Sequence, residues 1–255
     1  MRVRVLGCSG GIGANLRTTS LLIDDDILID CGTGVGDLTI REMEKLRHIY
    51  LSHSHLDHIV MLPLLIDTIF DQLKNQPIVV HCLPETYAVL IDHIFNWKVW
   101  PNFFELPNKT NPVLQVAPIS SGDTCHIGRR TVETVAVQHV VHGVAFRIAD
   151  DSSAFAYSGD TSTNDTFWQV LNAYDRLDLL MIECAFLDRD RELSTIAKHY
   201  CPALLAADMD KLIHRPKTCI SHLKPGAEAE IFAEVANALP DVELVRLNGG
   251  EVFEL

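Results

Sequence analysis

Short apolar runs alternate with amphipathic runs along the chain. Runs rich in Val, Ile and Leu and bounded by Gly, Asp, Asn or Pro predict β-strands. These runs are residues 2–7, 19–23, 27–31, 48–53, 78–82, 113–119, 131–138, 144–149, 153–158, 178–183, 217–221 and 242–247. Apolar residues at three- and four-residue spacing predict helices. These helices are residues 37–46, 63–74, 85–96, 164–174, 203–213 and 227–238.

The order of these elements predicts the architecture. The chain opens with strands alone, gains helices, returns to strands between residues 113 and 158, and then alternates again. Since each sheet must bury its apolar face, this order favours two mixed β-sheets packed face to face with helices on the outer faces. We therefore expect an α/β protein with a four-layer αββα sandwich, in which residues 1–255 form a single domain.

The composition restricts the environment and the partners of the chain. Hydrophobic residues make up 47% and charged residues 22%, as in ordinary globular proteins. No apolar run is long enough to span a membrane. Seven scattered cysteines without a C-x-x-C pair favour reduced thiols and a cytoplasmic location. The net charge of −13 argues against an extended nucleic-acid-binding surface, but it is compatible with one small anionic substrate.

A group of polar residues ends the strand predicted at 48–53. Within LSHSHLDHI lie His53, His55, Asp57 and His58. In an extended segment His53 and His55 point the same way, so both imidazoles can reach one ion. Asp57 and His58 lie past the turn and can reach a second ion. Imidazole and carboxylate suit zinc, iron or manganese, and these residues alone do not choose among the three metals.

Further candidate ligands follow later strands directly. His139, Asp160 and His222 each lie just beyond a predicted strand. Open α/β sheets bind their ligands at the carboxyl ends of strands. Each residue alone is an ordinary turn residue, but their shared placement indicates a common site. His142 also lies in one of these loops and is the weaker candidate there.

The H-S-H-L-D-H run at 53–58, the SGDT sequence at 158–161 and the histidines at 139 and 222 together resemble the metallo-β-lactamase superfamily. The resemblance implies the metallo-β-lactamase fold and a dinuclear metal site. We therefore expect two divalent metal ions, with zinc as the favoured metal and iron or manganese as the alternatives. It assigns the first metal to His53, His55 and His139. It assigns the second metal to Asp57, His58 and His222, and it makes Asp160 the bridge between both.

The longer string HSHLDHIVMLPLLIDTI is similar to the class II 3′,5′-cyclic-nucleotide phosphodiesterases. The strings IECAF, ISHLKPG and LNGGEVFEL extend this similarity to later parts of the chain. The resemblance implies hydrolysis of a cyclic nucleotide, of the cyclic AMP or cyclic GMP type, by a hydroxide held between two metal ions. Asp57 is then expected to orient the nucleophile as well as to bind the second metal.

Glu183 and His199 are candidates for proton transfer. They lie in MIECAF and AKHYCP and are similar to a glutamate and a histidine that act near the leaving group in tRNA 3′-processing ribonucleases of the same superfamily. We expect His199, oriented by Glu183, to protonate the departing ribose oxygen. The alternative is structural, with Glu183 satisfied by backbone amides and His199 capping a helix.

The expected partner is a small anionic phosphodiester. Four residues are candidates for contacts with it, namely Ser158 and Thr161 beside the SGDT aspartate, and Asn15 and Arg17 after the first glycine turn. The apolar helices in 59–73 and 85–100 offer surface for a homodimer.

Two alternative functions stay open. The first is a ribonuclease Z-like or other phosphodiesterase of the same fold. Ribonuclease Z carries a protruding arm for tRNA between the third histidine and the bridging aspartate, whereas only residues 140–159 separate these positions here. The second alternative is a non-catalytic metal- or nucleotide-binding module. Metal removal discriminates it, because such a module keeps its ligand affinity without hydrolysing anything.

Overall fold

A computed structural model describes residues 1–255, which form two sheets of seven strands each. The first sheet contains β1 (Arg2–Gly7), β2 (Ser20–Ile23), β3 (Ile27–Ile29), β4 (His48–Tyr50), β5 (Ile78–Cys82), β6 (Leu114–Pro118) and β14 (Val252–Glu254). The second sheet contains β7 (Thr124–Ile127), β8 (Arg130–Ala136), β9 (Val144–Ala149), β10 (Ala154–Tyr157), β11 (Leu179–Glu183), β12 (Lys217–Ser221) and β13 (Leu244–Arg246).

Both sheets mix parallel and antiparallel neighbours. The strand order of the first sheet is β14-β1-β2-β3-β4-β5-β6, and that of the second is β13-β12-β11-β10-β9-β8-β7. Strands β3 to β6 run parallel, and so do strands β10 to β13. The parallel strands of each sheet therefore end at one edge, which is where connecting loops can bring side chains together.

The helices cover the outer faces of the two sheets. They are α1 (Ile40–Met43), α2 (Leu56–Ile59), α3 (Leu62–Thr68), α4 (Phe70–Leu73), α5 (Pro84–Val89), α6 (Thr166–Asn172), α7 (Arg191–Ala197), α8 (Pro202–Met209) and α9 (Glu228–Ala238). Short 3₁₀ turns at Thr33–Asp37 and Asp188–Asp190 and a π-helical turn at Leu90–Ile94 accompany them. None of the helices combines the length and the hydrophobicity needed to cross a lipid bilayer.

Three apolar layers hold the sandwich together. On β3, Ile27 and Ile29 point into the layer between the sheets, and Leu28 points into the layer under the helices. This follows from the two-residue alternation of side chains along a strand. A third layer packs helices α6, α8 and α9 against the second sheet. The predicted αββα architecture with two mixed sheets is confirmed.

The sequence pattern misses two strands and two helices. Strands β7 and β14 lie at sheet edges and have largely exposed side chains, so the apolar runs that predict strands are absent there. Helix α7 is missed for the same reason, because most of its residues are exposed and it lacks an apolar pattern. Helix α2 lies inside the histidine-rich segment and has four residues, too few for helical periodicity.

Arg130 joins the two sheets through charged hydrogen bonds. Its guanidinium group donates to Asp26 at 2.6 and 2.7 Å and to Asp24 at 3.0 Å, and its side chain is only 8% exposed. Arg130 begins β8 in the second sheet, whereas both aspartates lie in the turn between β2 and β3 in the first.

We expect the substitution Arg130→Met to lower the free energy of unfolding by about 1.5–3 kcal/mol, because it removes several charged hydrogen bonds at once. Urea denaturation would measure the change. Arg129→Met is the matched control, because the side chain of Arg129 is 68% exposed, and we expect it to change stability by less than about 0.5 kcal/mol. Equal stability of the two variants would contradict a role of Arg130 in joining the sheets.

Candidate metal centre

The candidate ligands lie at the carboxyl ends of four strands. The segment 53–58 follows β4, and His139 follows β8. Asp160 and His222 follow β10 and β12, which flank β11 in the parallel part of the second sheet. Short loops therefore carry polar side chains from both sheets to the same edge of the sandwich, as the strand-end pattern of the sequence predicts.

One group of side chains contains the three histidines expected at the first metal. Its potential ligand atoms all lie within 4.8 Å of one another, in His53, His55, His139 and Asp160. Nε2 of His139 lies 3.1 Å from Nδ1 of His55. Nε2 of His53 lies 3.6 Å from a carboxylate oxygen of Asp160.

A second group contains the residues expected at the second metal. Asp57, His58, Asp160 and His222 also place their potential ligand atoms within 4.8 Å of one another. Nε2 of His58 lies 3.3 Å from Oδ2 of Asp160, and Nδ1 of His222 lies 3.2 Å from Oδ1 of the same carboxylate. Asp160 thus belongs to both groups, which is the geometry that a bridging ligand requires.

Four of these side chains carry a buried polar atom without a hydrogen-bond partner. These atoms are Nε2 of His53, Nε2 of His58, Nδ1 of His222 and Oδ1 of Asp160. Buried polar atoms in proteins nearly always have a partner, so four orphaned atoms at one place need an explanation. Divalent cations bound between them would supply it. The nitrogen and oxygen donors present therefore fit two divalent metal ions of the zinc, iron or manganese type.

Burial keeps most of the candidate histidines neutral. It lowers the pKa of His53 and His55, and it lowers the pKa to about 4 for His139 and to about 3 for His222. A neutral imidazole has the free lone pair that a metal ion needs. Desolvation thus prepares these side chains for ligation at neutral pH.

His58 and Asp160 form the ionic centre of the site. Burial alone would lower the pKa of His58, but the carboxylates of Asp160 and Asp30 outweigh it and raise this pKa well above its usual value. Burial alone would raise the pKa of Asp160, but His222 and His58 outweigh it and lower this pKa well below its usual value. Asp160 is therefore ionised, as a bridging ligand must be.

Asp30 fixes the orientation of His58 and was not recognised from the sequence. Its buried carboxylate accepts hydrogen bonds from Nδ1 of His58 at 2.7 Å and from the hydroxyl of Tyr157 at 3.0 Å. It also accepts bonds from the backbone N–H and the hydroxyl of Ser52, at 2.7 and 2.8 Å. Because Nδ1 of His58 is engaged, Nε2 faces the candidate ligands. The sequence signal was a lone aspartate directly after the apolar strand β3.

Glu183 and His199 form a buried pair beside the candidate ligands. Nδ1 of His199 lies 2.7 Å from Glu183, whose carboxylate also accepts bonds from the backbone N–H groups of Thr161 and Tyr200. The centre of the His199 ring lies 4.9 Å from the centre of the His139 ring. Burial alone would lower the pKa of His199, but the Glu183 carboxylate outweighs it and raises this pKa. His199 can therefore carry a proton next to the site.

Ser158 and Thr161 lie close to the site, but their hydroxyl groups are engaged within the protein. The Ser158 hydroxyl donates to the carbonyl of Gly159 and accepts from the backbone N–H of Glu183. The Thr161 hydroxyl donates to the carbonyl of Ser162 and accepts from Asn164. Both side chains are fully buried. The structure thus gives them the role of holding the loop around Asp160, rather than leaving them free for a phosphate.

The structure does not bring Asn15, Arg17 or His142 to the candidate ligands. Arg17 lies 3.4 Å from Asp37. Both it and Asn15 line two cavities, one of about 390 Å³ and one of about 160 Å³ that also includes Leu223, the residue after His222. His142 is exposed and lies 4.0 Å from Glu85. Of the two histidines in this loop, His139 thus belongs to a candidate metal group and His142 does not.

Lys224 is a further residue near the site that the sequence did not indicate. Its Nζ atom donates to the carbonyl of Gly10 at 3.1 Å and lies 6.0 Å from the ring centre of Phe186. The centre of the Phe186 ring in turn lies 5.8 Å from the centre of the His199 ring. A positive charge therefore lies near the candidate proton donor, and only its position two residues after His222 could have suggested this.

We expect Asp30→Asn to lower the affinity of the second group for a divalent metal about ten- to hundredfold, because residues that orient metal-bound histidines have effects of this size. Zinc titration against a chromogenic chelator would measure the affinity. Asp25→Asn is the matched control, because it removes the same charge from a 52% exposed side chain in the turn between β2 and β3. Wild-type zinc affinity in folded Asp30→Asn protein would refute the role given to Asp30.

Comparisons with known proteins agree with this geometry. The chain is 26% identical to a 3′,5′-cyclic-nucleotide phosphodiesterase of Aliivibrio fischeri, over 81% of this chain and 74% of that protein. It is 32% identical to the ribonuclease Z of Halorubrum lacusprofundi over a shorter stretch, 36% of this chain and 32% of that protein. The crystal structure of unliganded yeast PDE1 has the same fold, with a TM-score of 0.81 at 17% identity over 100% of this chain and 99% of that chain.

The family model of the beta-lactamase superfamily domain matches residues 25–240. That range includes every residue of the two candidate metal groups. The match covers most of the chain, and the chain therefore belongs to the beta-lactamase superfamily, as its histidine motif predicts.

Proposed function

We propose that this protein is a metal-dependent phosphodiesterase that hydrolyses a 3′,5′-cyclic nucleotide of the cyclic AMP or cyclic GMP type. The observation that carries the proposal is that two candidate metal groups share Asp160 and lie beside the buried Glu183–His199 pair. This arrangement joins a two-metal site to a proton donor, which phosphodiester cleavage requires. The similarity to the Aliivibrio fischeri enzyme supports the choice of substrate class.

In this proposal the two groups bind one metal ion each. His53, His55 and His139 would hold the first ion, Asp57, His58 and His222 would hold the second, and Asp160, which belongs to both groups, would be available to both. When bound, a pair of divalent cations supplies activation of the attacking water and neutralisation of the phosphate charge. The side chain of Asp57 is 32% exposed, unlike the buried His58 and His222, so its carboxylate can orient a water molecule as well as bind a metal.

His199 donates the proton that the leaving group needs. Its Nδ1 atom is held by Glu183 at 2.7 Å, which leaves Nε2 to carry the proton towards the substrate. Cleavage of the bond between phosphorus and the ribose oxygen places negative charge on that oxygen, and the Nε2 proton neutralises it. Glu183 stabilises the protonated imidazole and fixes the direction of its ring.

The remaining features of the proposal concern the metal, the location and the assembly. We take zinc as the metal because it suits histidine and aspartate ligands. The seven free cysteines support a cytoplasmic location. Exposed Leu64, Trp97 and Val99 on the segments 59–73 and 85–100 support a homodimer of one-domain subunits.

A ribonuclease Z-like activity is the second candidate, and the Glu183–His199 pair favours it together with the match to the Halorubrum enzyme. Between His139 and Asp160, however, the chain forms only the antiparallel strands β9 and β10. A protruding arm for tRNA has no room in this segment. We therefore propose a small phosphodiester as the substrate.

We expect the purified protein to hydrolyse cyclic AMP or cyclic GMP, to lose this activity when a chelator removes its metal, and to regain it when zinc is added. A screen with both nucleotides, cyclic dinucleotides, a chromogenic phosphodiester and a thioester would measure the preference. His58→Ala should abolish hydrolysis, whereas His142→Ala alters an exposed residue outside the cluster and should leave it unchanged. Thioester hydrolysis without phosphodiester hydrolysis would overturn the proposed function.

We expect His199→Ala to lower kcat/KM for a cyclic nucleotide about 10²- to 10⁴-fold, the usual contribution of a general acid. A nitrophenyl phosphodiester should lose much less, because nitrophenolate leaves without a proton. Steady-state kinetics on both substrates would test this at equal metal content, which atomic absorption would verify. An equal loss on the two esters would contradict the role of His199 as the proton donor.

A further inference from the structure

Lys198 has a backbone conformation that is rare for a residue with a side chain. It ends helix α7 in the left-handed region, with φ of 53° and ψ of 52°. Glycine is the usual residue at this position after a helix, because a Cβ atom is disfavoured there. Such outliers persist where the surroundings hold them, and they occur often at functional sites.

Two hydrogen bonds join Lys198 to His139. The carbonyl of Lys198 accepts from Nδ1 of His139 at 3.1 Å, and Nζ of Lys198 donates to the carbonyl of His139, also at 3.1 Å. The backbone and the side chain of the lysine thus hold one histidine from two directions. Because Nδ1 of His139 is engaged, its Nε2 atom faces the first candidate metal group, where it lies 3.1 Å from Nδ1 of His55.

The residue after Lys198 is His199, the proposed proton donor. The backbone of His199 is held on both sides by Ser194, whose carbonyl accepts its N–H at 3.0 Å and whose hydroxyl donates to its carbonyl at 2.7 Å. The left-handed turn at Lys198 therefore directs one carbonyl towards His139 and the next imidazole towards Glu183. The rings of His139 and His199 lie 4.9 Å apart as a result.

We propose that Lys198 is a positioning residue that orients His139 for the first metal ion and places His199 beside it. The part of this inference that concerns proton donation by His199 rests on the proposed function, but the part that concerns metal binding does not. The ammonium group itself would repel a nearby cation. Loss of positioning and loss of charge thus have opposite effects on metal affinity.

The test is the zinc affinity of the first group in Lys198→Met, which keeps an unbranched side chain of nearly the same length but removes its donor. Positioning predicts a loss of about tenfold or more, whereas a charge effect alone predicts a gain. Competition with a chromogenic chelator measures the affinity, and the visible spectrum of the cobalt-substituted protein reports the geometry around His139. Lys198→Arg keeps a cationic donor and should restore most of the affinity.

Two further variants complete the experiment. Lys198→Gly adopts the left-handed backbone without strain, so it remains informative if Lys198→Met does not fold, and it should lose zinc affinity as the methionine variant does. Lys224→Met is the matched control, because it removes the other ammonium group near His199 without touching His139, and it should not weaken zinc binding. Wild-type or higher zinc affinity in Lys198→Met and Lys198→Gly would overturn the proposal.

Kinetics separate this inference from the proposed function. In Lys198→Met reconstituted with excess zinc, kcat for a cyclic nucleotide should fall more than KM rises, because His199 is displaced while the substrate still binds. If the wild-type protein hydrolyses no phosphodiester, the proposed function fails, but the zinc affinities still decide the role of Lys198. If hydrolysis occurs and zinc affinity is unchanged in Lys198→Met and Lys198→Gly, only this inference fails.

Discussion

The burial of unpartnered nitrogen and oxygen atoms at one edge of the sandwich is the constraint on which the rest of the structure depends. His53, His58, His222 and Asp160 each contribute such an atom. An unsatisfied buried polar group costs about 1–3 kcal/mol, which is large beside the 5–15 kcal/mol by which a typical domain is stable. The two sheets must therefore be stable enough to hold these atoms in place, and divalent cations would remove the cost.

Four of the histidines at the site are oriented by contacts of Nδ1, on the side of the ring that faces away from the site. Nδ1 of His53 lies 2.9 Å from the Ser52 hydroxyl, and Nδ1 of His58 lies 2.7 Å from Asp30. The corresponding atoms of His139 and His199 contact the Lys198 carbonyl and the Glu183 carboxylate. In each of these four rings, Nε2 is the nitrogen that this contact leaves free to bind a metal ion or carry a proton. This arrangement fixes both the tautomer and the direction of the ring, as metal-binding histidines in proteins require.

The sequence predicts the layers and the candidate ligands because both depend on local patterns. Apolar strands and the segment 53–58 can be recognised without knowing which strands are neighbours. The role of Asp30 could not be predicted, since its partner Tyr157 lies 127 residues further along the chain. Lys198 was missed because nothing local distinguishes a lysine at positive φ. Ser158 and Thr161 were expected to contact the substrate only because they lie beside Asp160 in the sequence. Their hydroxyl groups bond to backbone groups that come together only in the folded chain, so the sequence could not show that they are engaged.

The acidic character of the chain links anion binding to metal occupancy. The net charge is −13, and the carboxylates of Asp57 and Asp160 lie within the site itself. Two divalent cations would add a local charge of about +4, which attracts an anion at short range. Metal binding and phosphate binding are then coupled, and linkage requires that each strengthens the other. A phosphate-bearing ligand would thus bind more tightly to the metal-loaded protein than to the metal-free protein.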